Sequence, residues 1–111
     1  MNLPSFDKNY FELDNAEDIH KKYPESFWIP EKAVRNNLKS GDIVKLIFRM
    51  LAKENPEEVE VERMWVEINE KEDGFYVGKL DNDPMGSVHV KCGQEVYFKP
   101  EHVIDVYEEN T

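Results

Sequence analysis

Asp81, Asn82 and Asp83 sit together in the stretch GKLDNDP (residues 78–84), two aspartates around an asparagine closed by a proline. A helix–loop–helix calcium site needs oxygen ligands at loop positions 1, 3 and 5, glycine at 6 and a bidentate glutamate at 12. Counted from Asp81, the residues Asp81, Asp83 and Gly86 comply, but Met85 stands fifth and Cys92 twelfth, so two essential oxygens are missing. The flanks also read as strands rather than helices. The stretch fits a side-chain-bonded turn that Pro84 terminates better than a metal loop.

Other chemistry finds fewer footholds. His20, His89 and His102 are scattered, and no His-x-His or Cys-x-x-Cys pair starts a transition-metal site. Cys92 lies three residues after His89, which in an extended strand puts the two on opposite faces, and nothing in the local sequence activates the thiol. Phosphate-binding glycine loops and the Gly-x-Ser-x-Gly elbow are missing. The best acid–base dyad is Asp81 with Asp83, which with a histidine could serve a small hydrolase. No metal or cofactor is expected.

The elements that must position these residues begin with size. At 111 residues the chain suits one domain with a single core, and its lone cysteine, Cys92, suits a reducing compartment. The start of the chain shows no basic stretch followed by an apolar one, and no apolar run is long enough to span a membrane; the expected location is the cytoplasm. The net charge of −10 argues against nucleic acid, because phosphate binding draws on a basic face. The charge is uneven: residues 1–52 are neutral, 53–73 carry nine acids against three bases, and 74–111 seven against three. Such a surface serves solubility first, and it would also steer a basic partner toward an acidic hairpin at 54–73.

Residues 1–37 form an aromatic-rich arm, with Phe6, Tyr10, Phe11, Tyr23, Phe27 and Trp28 expected to pack onto the β-rich remainder at 38–111 as one structural domain. Within the arm, DNAEDIHKKYP reads as a short helix capped by Asp14. IPEKAVRNNLKSG reads as a second, with Pro30 at its first position and Gly41 beyond its end. Strands follow at DIVKLIFRML, VEVERMWVEI, FYVGKL, QEVYF and HVIDVY, with AKENPEE as a polar connection and Asp73-Gly74 as a hairpin turn. In the second strand, Val59 and Val61 lie on one face and Met64, Val66 and Ile68 on the other, which suggests a bulge or strong bend between them. The nonamers LKSGDIVKL and VKCGQEVYF share lysine, glycine and valine at equal offsets, and each is a glycine turn feeding a strand. The expected class is α+β: a small antiparallel, strongly bent sheet or SH3-like barrel with two short N-terminal helices.

Trp65 breaks the apolar pattern of its strand. It shares a face with Arg63 and Glu67, opposite Met64, Val66 and Ile68, so either both faces are buried or Trp65 is partly exposed. An exposed tryptophan beside an acidic hairpin is a recognition spot.

Gly41-Asp42, then Glu62 with Trp65-Val66, then Gly78, Leu80, Asn82 and Pro84, together resemble the YegJ-like bacterial domains of unknown function. The late Gly-Asp strand start of that pattern is Gly93-Gln94 here. The resemblance spans residues 38–106 and implies a small bacterial β-rich domain without an assigned activity, substrate or cofactor. The company such domains keep with secreted-toxin and stress systems adds, by analogy, an immunity protein that neutralises a basic toxin. The expectation is a non-enzymatic protein-binding module, a monomer or edge-paired homodimer, that contacts its partner through Trp65, Tyr76, Asp81, Asn82 and Asp83.

Overall fold

Strand alternation decides which face becomes the core. In the computed structural model, which describes residues 3–52 and 57–108, strand β2 (Ile43–Leu51) sends Val44, Leu46, Phe48 and Met50 inward, all fully buried. They meet Met64, Val66 and Ile68 of β3 (Val59–Glu72), Tyr76 and Leu80 of β4 (Phe75–Leu80), and Val96 and Phe98 of β5 (Glu95–Phe98) in one cluster. Each fully buried side chain of this size stabilises the fold by about 1.5–3 kcal/mol, which the ordering of the chain largely offsets.

The sheet is antiparallel throughout and runs β1 (Phe11–Leu13), β2, β3, β4, β5. The last strand, β6 (Val103–Val106), returns to β2. Strands β1 and β6 share one edge of β2, β1 against Phe48–Met50 and β6 against Val44–Leu46. Between β5 and β6 lie only Lys99 and a 3-10 turn at Pro100–His102. In a flat sheet those two strands would stand about 19 Å apart, and a 3-10 turn advances only about 2 Å per residue. The sheet therefore curls strongly into a half-barrel. The architecture is α+β with a bent antiparallel sheet, the class the sequence implies.

Of the bulge or strong bend expected between Val61 and Met64, the bulge is not there. The β2–β3 register runs unbroken from Ile43 opposite Glu67 to Leu51 opposite Val59. Val59 and Val61 occupy the outer face with Arg63 and Trp65 and are exposed, Val61 by 53%. Valine suits a strand whether or not it is buried, so its presence did not mark a change of core face. The irregularities lie elsewhere, at Ile68–Glu70 against β4 and at Lys45–Leu46 against β6. The polar connection at AKENPEE falls mostly on residues 53–56, outside the described residues.

Three short helices belong to the arm: α1 (Phe6–Asn9), α2 (Ala16–Lys22) and α3 (Lys32–Asn36). Asn15, not Asp14, caps α2, accepting from the Asp18 N–H at 3.1 Å. Asp14 instead faces Arg49 at 3.8 Å. Helix α3 starts after Glu31 and ends at Asn37, so Pro30 precedes it and Gly41 belongs to a later turn. Ala16, Ile19, Phe27 and Ile29 cover Ile47 and Ile104 on the outer face of the sheet as a second small core. Arg35 fastens the arm. It is buried, donates through Nε to the Pro30 carbonyl at 2.8 Å and through a terminal nitrogen to Glu17 at 2.5 Å and to the Pro100 carbonyl at 3.2 Å. The hydrogen bond from Arg35 holds the Glu17 carboxyl below its ordinary value.

The two matching nonamers are two copies of one turn. At the first, Lys39 N–H donates to the Asp42 carboxylate (2.8 Å), Asp42 N–H returns to the Lys39 carbonyl (3.0 Å), and Gly41 N–H reaches the Ile68 carbonyl (2.8 Å). At the second, Lys91 N–H donates to Gln94 Oε1 (3.1 Å), Gln94 N–H returns to the Lys91 carbonyl (3.1 Å), and Gly93 N–H reaches the Leu80 carbonyl (2.7 Å). Gly41 and Gly93 have φ of +94° and +87°, where a side chain would be strained. Gln94 therefore supplies the acceptor that an aspartate supplies at the first turn.

Candidate functional site

Trp65 lies on the outer face of β3 and is partly buried. Its cross-strand partner is Lys45, whose own other neighbour is Asp105 of β6. The Lys45 ammonium sits 4.5 Å from the centre of the Trp65 ring, and Tyr107 meets that ring edge-on at 5.8 Å. Such cation–π contact is worth about 0.5–1 kcal/mol at an exposed site and orders both side chains. Of the two arrangements the strand pattern allows, the partly exposed one is found.

The backbone of Trp65 is held by the Asp81–Asp83 stretch. Asp81 N–H donates to the Trp65 carbonyl at 2.9 Å, and Trp65 N–H donates to Asn82 Oδ1 at 2.5 Å. The asparagine side chain thereby prolongs the β3–β4 ladder past Leu80. Asp81 and Asp83 point outward as exposed side chains, and Asp83 lines a separate shallow hollow with Ser87, Lys91 and Cys92. Glu62 fixes the next segment, its carboxylate accepting from Gly86 N–H at 2.7 Å and Met85 N–H at 3.1 Å. Gly86 packs so close that a Cβ there would stand 2.7 Å from Glu60 Cβ.

Beside Trp65, the arm and the sheet enclose an open groove of about 500 Å³ lined by Phe27, Trp28, Ile29, Pro30, Lys45, Arg63, Ile104, Asp105 and Ser26. Trp28 is 79% exposed on its rim, and the Arg63 guanidinium lies 5.7 Å from the Phe27 ring centre. Lys45 and Arg63 give this face a local charge opposite to that of the chain. Trp28, Lys45, Arg63 and Tyr107 were not singled out from sequence as a group. Lys45 was the visible hint, a lysine on the polar beat of an otherwise apolar strand.

Tyr76 belongs elsewhere. It is fully buried on the concave face, its hydroxyl donating to the Arg35 carbonyl at 2.7 Å and accepting from Leu38 N–H at 3.2 Å. It ties the arm to the core and cannot touch a docking partner. The histidines do not meet the aspartates: His89 stacks on Tyr10 at 4.4 Å, His20 Nδ1 donates to the Phe27 carbonyl at 2.6 Å, and buried His102 accepts from Lys99 N–H at 2.9 Å. Burial, aided by Lys99, lowers the His102 pKa to about 4, so it is neutral near neutrality. Among the described residues no group of three or more His, Cys, Asp or Glu side chains could hold a metal ion, and no helix is long and apolar enough to cross a membrane.

A small α+β domain with a curled sheet, pinned turns and a surface tryptophan defines the class. Residues 10–109 match DUF2314, described as an uncharacterised protein conserved in bacteria, and the chain belongs to that family. No curated protein and no solved structure matches it. Glu62 and Asn82 hold neighbouring backbone in place, and Gly78 lets β4 lie close against β3. A Cβ on Gly78 would stand 2.7 Å from Val66 Cγ1 and closer still to the Glu67 carbonyl oxygen.

Proposed function

We propose that this protein is a cytoplasmic, non-enzymatic protein-binding module of the YegJ-like kind, and that its contact face is the outer surface of the sheet around Trp65. The observation that supports it is the setting of Trp65. Its backbone is clamped by Asp81 and Asn82, its ring is ordered by Lys45 and Tyr107, and its cross-strand partner Lys45 lines a groove walled by the exposed Trp28. Aromatic and arginine side chains on a rigid strand lose little entropy on binding and dominate interface energetics. Asp81, Asn82 and Asp83 act in this reading as the support and rim of the face.

Capture of partners from the native cytoplasm by the wild-type chain and by Trp65→Ala tests it. The partner retained by wild type should be lost or weakened more than tenfold in Trp65→Ala, with circular dichroism and melting unchanged. Equal retention by the two proteins would sink the reading.

A further inference from the structure

The charge of the groove points to the chemistry of what it holds. The chain carries 24 acidic and 14 basic side chains, yet neither Lys45 nor Arg63 forms an ion pair among the described residues, where the pairs are Arg35 with Glu17 and Arg49 with Asp14. Both cations lie over rings instead, Lys45 over Trp65 and Arg63 over Phe27. No hydrogen bond among the described residues uses the Lys45 ammonium or the Arg63 guanidinium, so their donors stay free to meet an anion. Asp105 is the sole acid lining the groove, and its carboxylate accepts from its own neighbour, Val106 N–H, at 2.8 Å.

Spacing narrows the anion further. Lys45 stands opposite Trp65, two residues along β3 from Arg63, so the two cations are diagonal neighbours on one sheet face. Such neighbours are about 7–8 Å apart, close to the distance of about 6.6–6.8 Å between alternate side chains of an extended chain. Next to them Trp28, Ile29 and Pro30 offer an apolar wall. We infer that the groove takes an extended segment of a protein partner that carries carboxylates at alternate positions, Glu-x-Glu or Asp-x-Asp, with an apolar residue beside them. This rests on the contact face proposed above and gives its partner a chemistry. The acidic surface elsewhere disfavours long anionic partners and leaves short acidic segments as the match.

The test titrates the full chain, labelled for nuclear magnetic resonance, with a blocked hexapeptide bearing two alternating glutamates and a leucine, and with its glutamine and lysine counterparts. The glutamate peptide should shift the indole N–H signals of Trp28 and Trp65. The glutamine version should bind about tenfold more weakly, and the lysine version not at all. Lys45→Gln and Arg63→Gln should each weaken the glutamate peptide about fivefold or more while the melting temperature stays put. Asp105→Asn should tighten it. Equal binding of the glutamate and glutamine peptides, or no shift with either, overturns the inference, as does a six-nucleotide single strand that shifts the same signals at lower concentration. If these tests fail while Trp65→Ala still loses the captured partner, the acidic chemistry is wrong and the contact face stands. If Trp65→Ala keeps the partner, the contact face itself is wrong.

Discussion

Asn82 finishes the strand pairing of Trp65 with its side chain: Oδ1 receives the Trp65 N–H at 2.5 Å, where a further β4 carbonyl would otherwise have to stand. A partly buried donor left without its acceptor costs about 1–3 kcal/mol. Asn82→Ala should therefore lower the melting temperature by several degrees and loosen the indole of Trp65, read as increased quenching of its fluorescence. Asn82→Asp keeps an acceptor oxygen and should recover most of the loss. An alanine variant as stable as wild type would show that the loop holds itself without this bond.

The paired turns make a sharper prediction about Gln94. Its amide oxygen does for Lys91 what the Asp42 carboxylate does for Lys39. Gln94→Asp should thus stay within about 0.5 kcal/mol of wild type, whereas Gln94→Ala should lose about 0.5–1.5 kcal/mol in urea unfolding. If the aspartate and alanine variants were equally destabilised, the two turns would not be equivalent.

Gly78 is governed by space. Its Cβ position is filled by Val66 Cγ1 and the Glu67 carbonyl of the neighbouring strand. Gly78→Ala must push β4 off β3 and should cost about 1–3 kcal/mol, seen as a lower urea midpoint. A neutral result would mean that the sheet can open at this point without penalty.

Arg35 carries a charge into the arm–sheet junction, where it meets Glu17 and two carbonyls. Glu17 keeps 32% of its side chain exposed, so the charge lost there is screened, and the main cost is that of buried acceptors left without a donor, about 1–3 kcal/mol. Arg35→Ala should accordingly melt below wild type, and hydrogen exchange should rise in α2, α3 and the Tyr76 region together. Exchange confined to α3 would show that the arm is tied by apolar contacts alone.

Acid should weaken the fold through His102. In the unfolded chain this histidine titrates near 6.5, and in the fold near 4, because the cation is penalised by burial. The unfolded state therefore binds the proton first, and stability falls as pH drops from about 6.5 toward 4. The maximal loss is about 3 kcal/mol. Glu17, whose carboxyl is held low by Arg35, adds to the loss at still lower pH. His102→Asn retains an acceptor for Lys99 N–H and should flatten the slope between pH 6.5 and 4. An unchanged slope would place the acid sensitivity on other groups.

Local pattern carried most of the sheet. FYVGKL spans the same residues as β4, and the shared Lys-x-Gly spacing foretold a shared turn. Strand β1 escaped because three residues hold no period, although its Phe11 is fully buried against Phe48. Trp65 was legible as a break in alternation. Tyr76 was misplaced although it shares a face with Leu80, the residue expected in the core. The groove was hidden from sequence, since Trp28 and Arg63 stand 35 positions apart and meet only when the arm folds over the sheet.

The tight passage from β5 to β6 sets the order in which the molecule can come together on the ribosome. Val106 pairs with Val44 across most of the chain, and Ile104 is needed to seat Phe27 and Ile29 of the arm. The part of the arm that packs on Ile104 is made early and can be completed only once β6 exists. Until residue 106 has been synthesised, Ile47 lacks Ile104 beside it, β2 has one edge half open, and the nascent chain presents an apolar strip of the sort that chaperones hold.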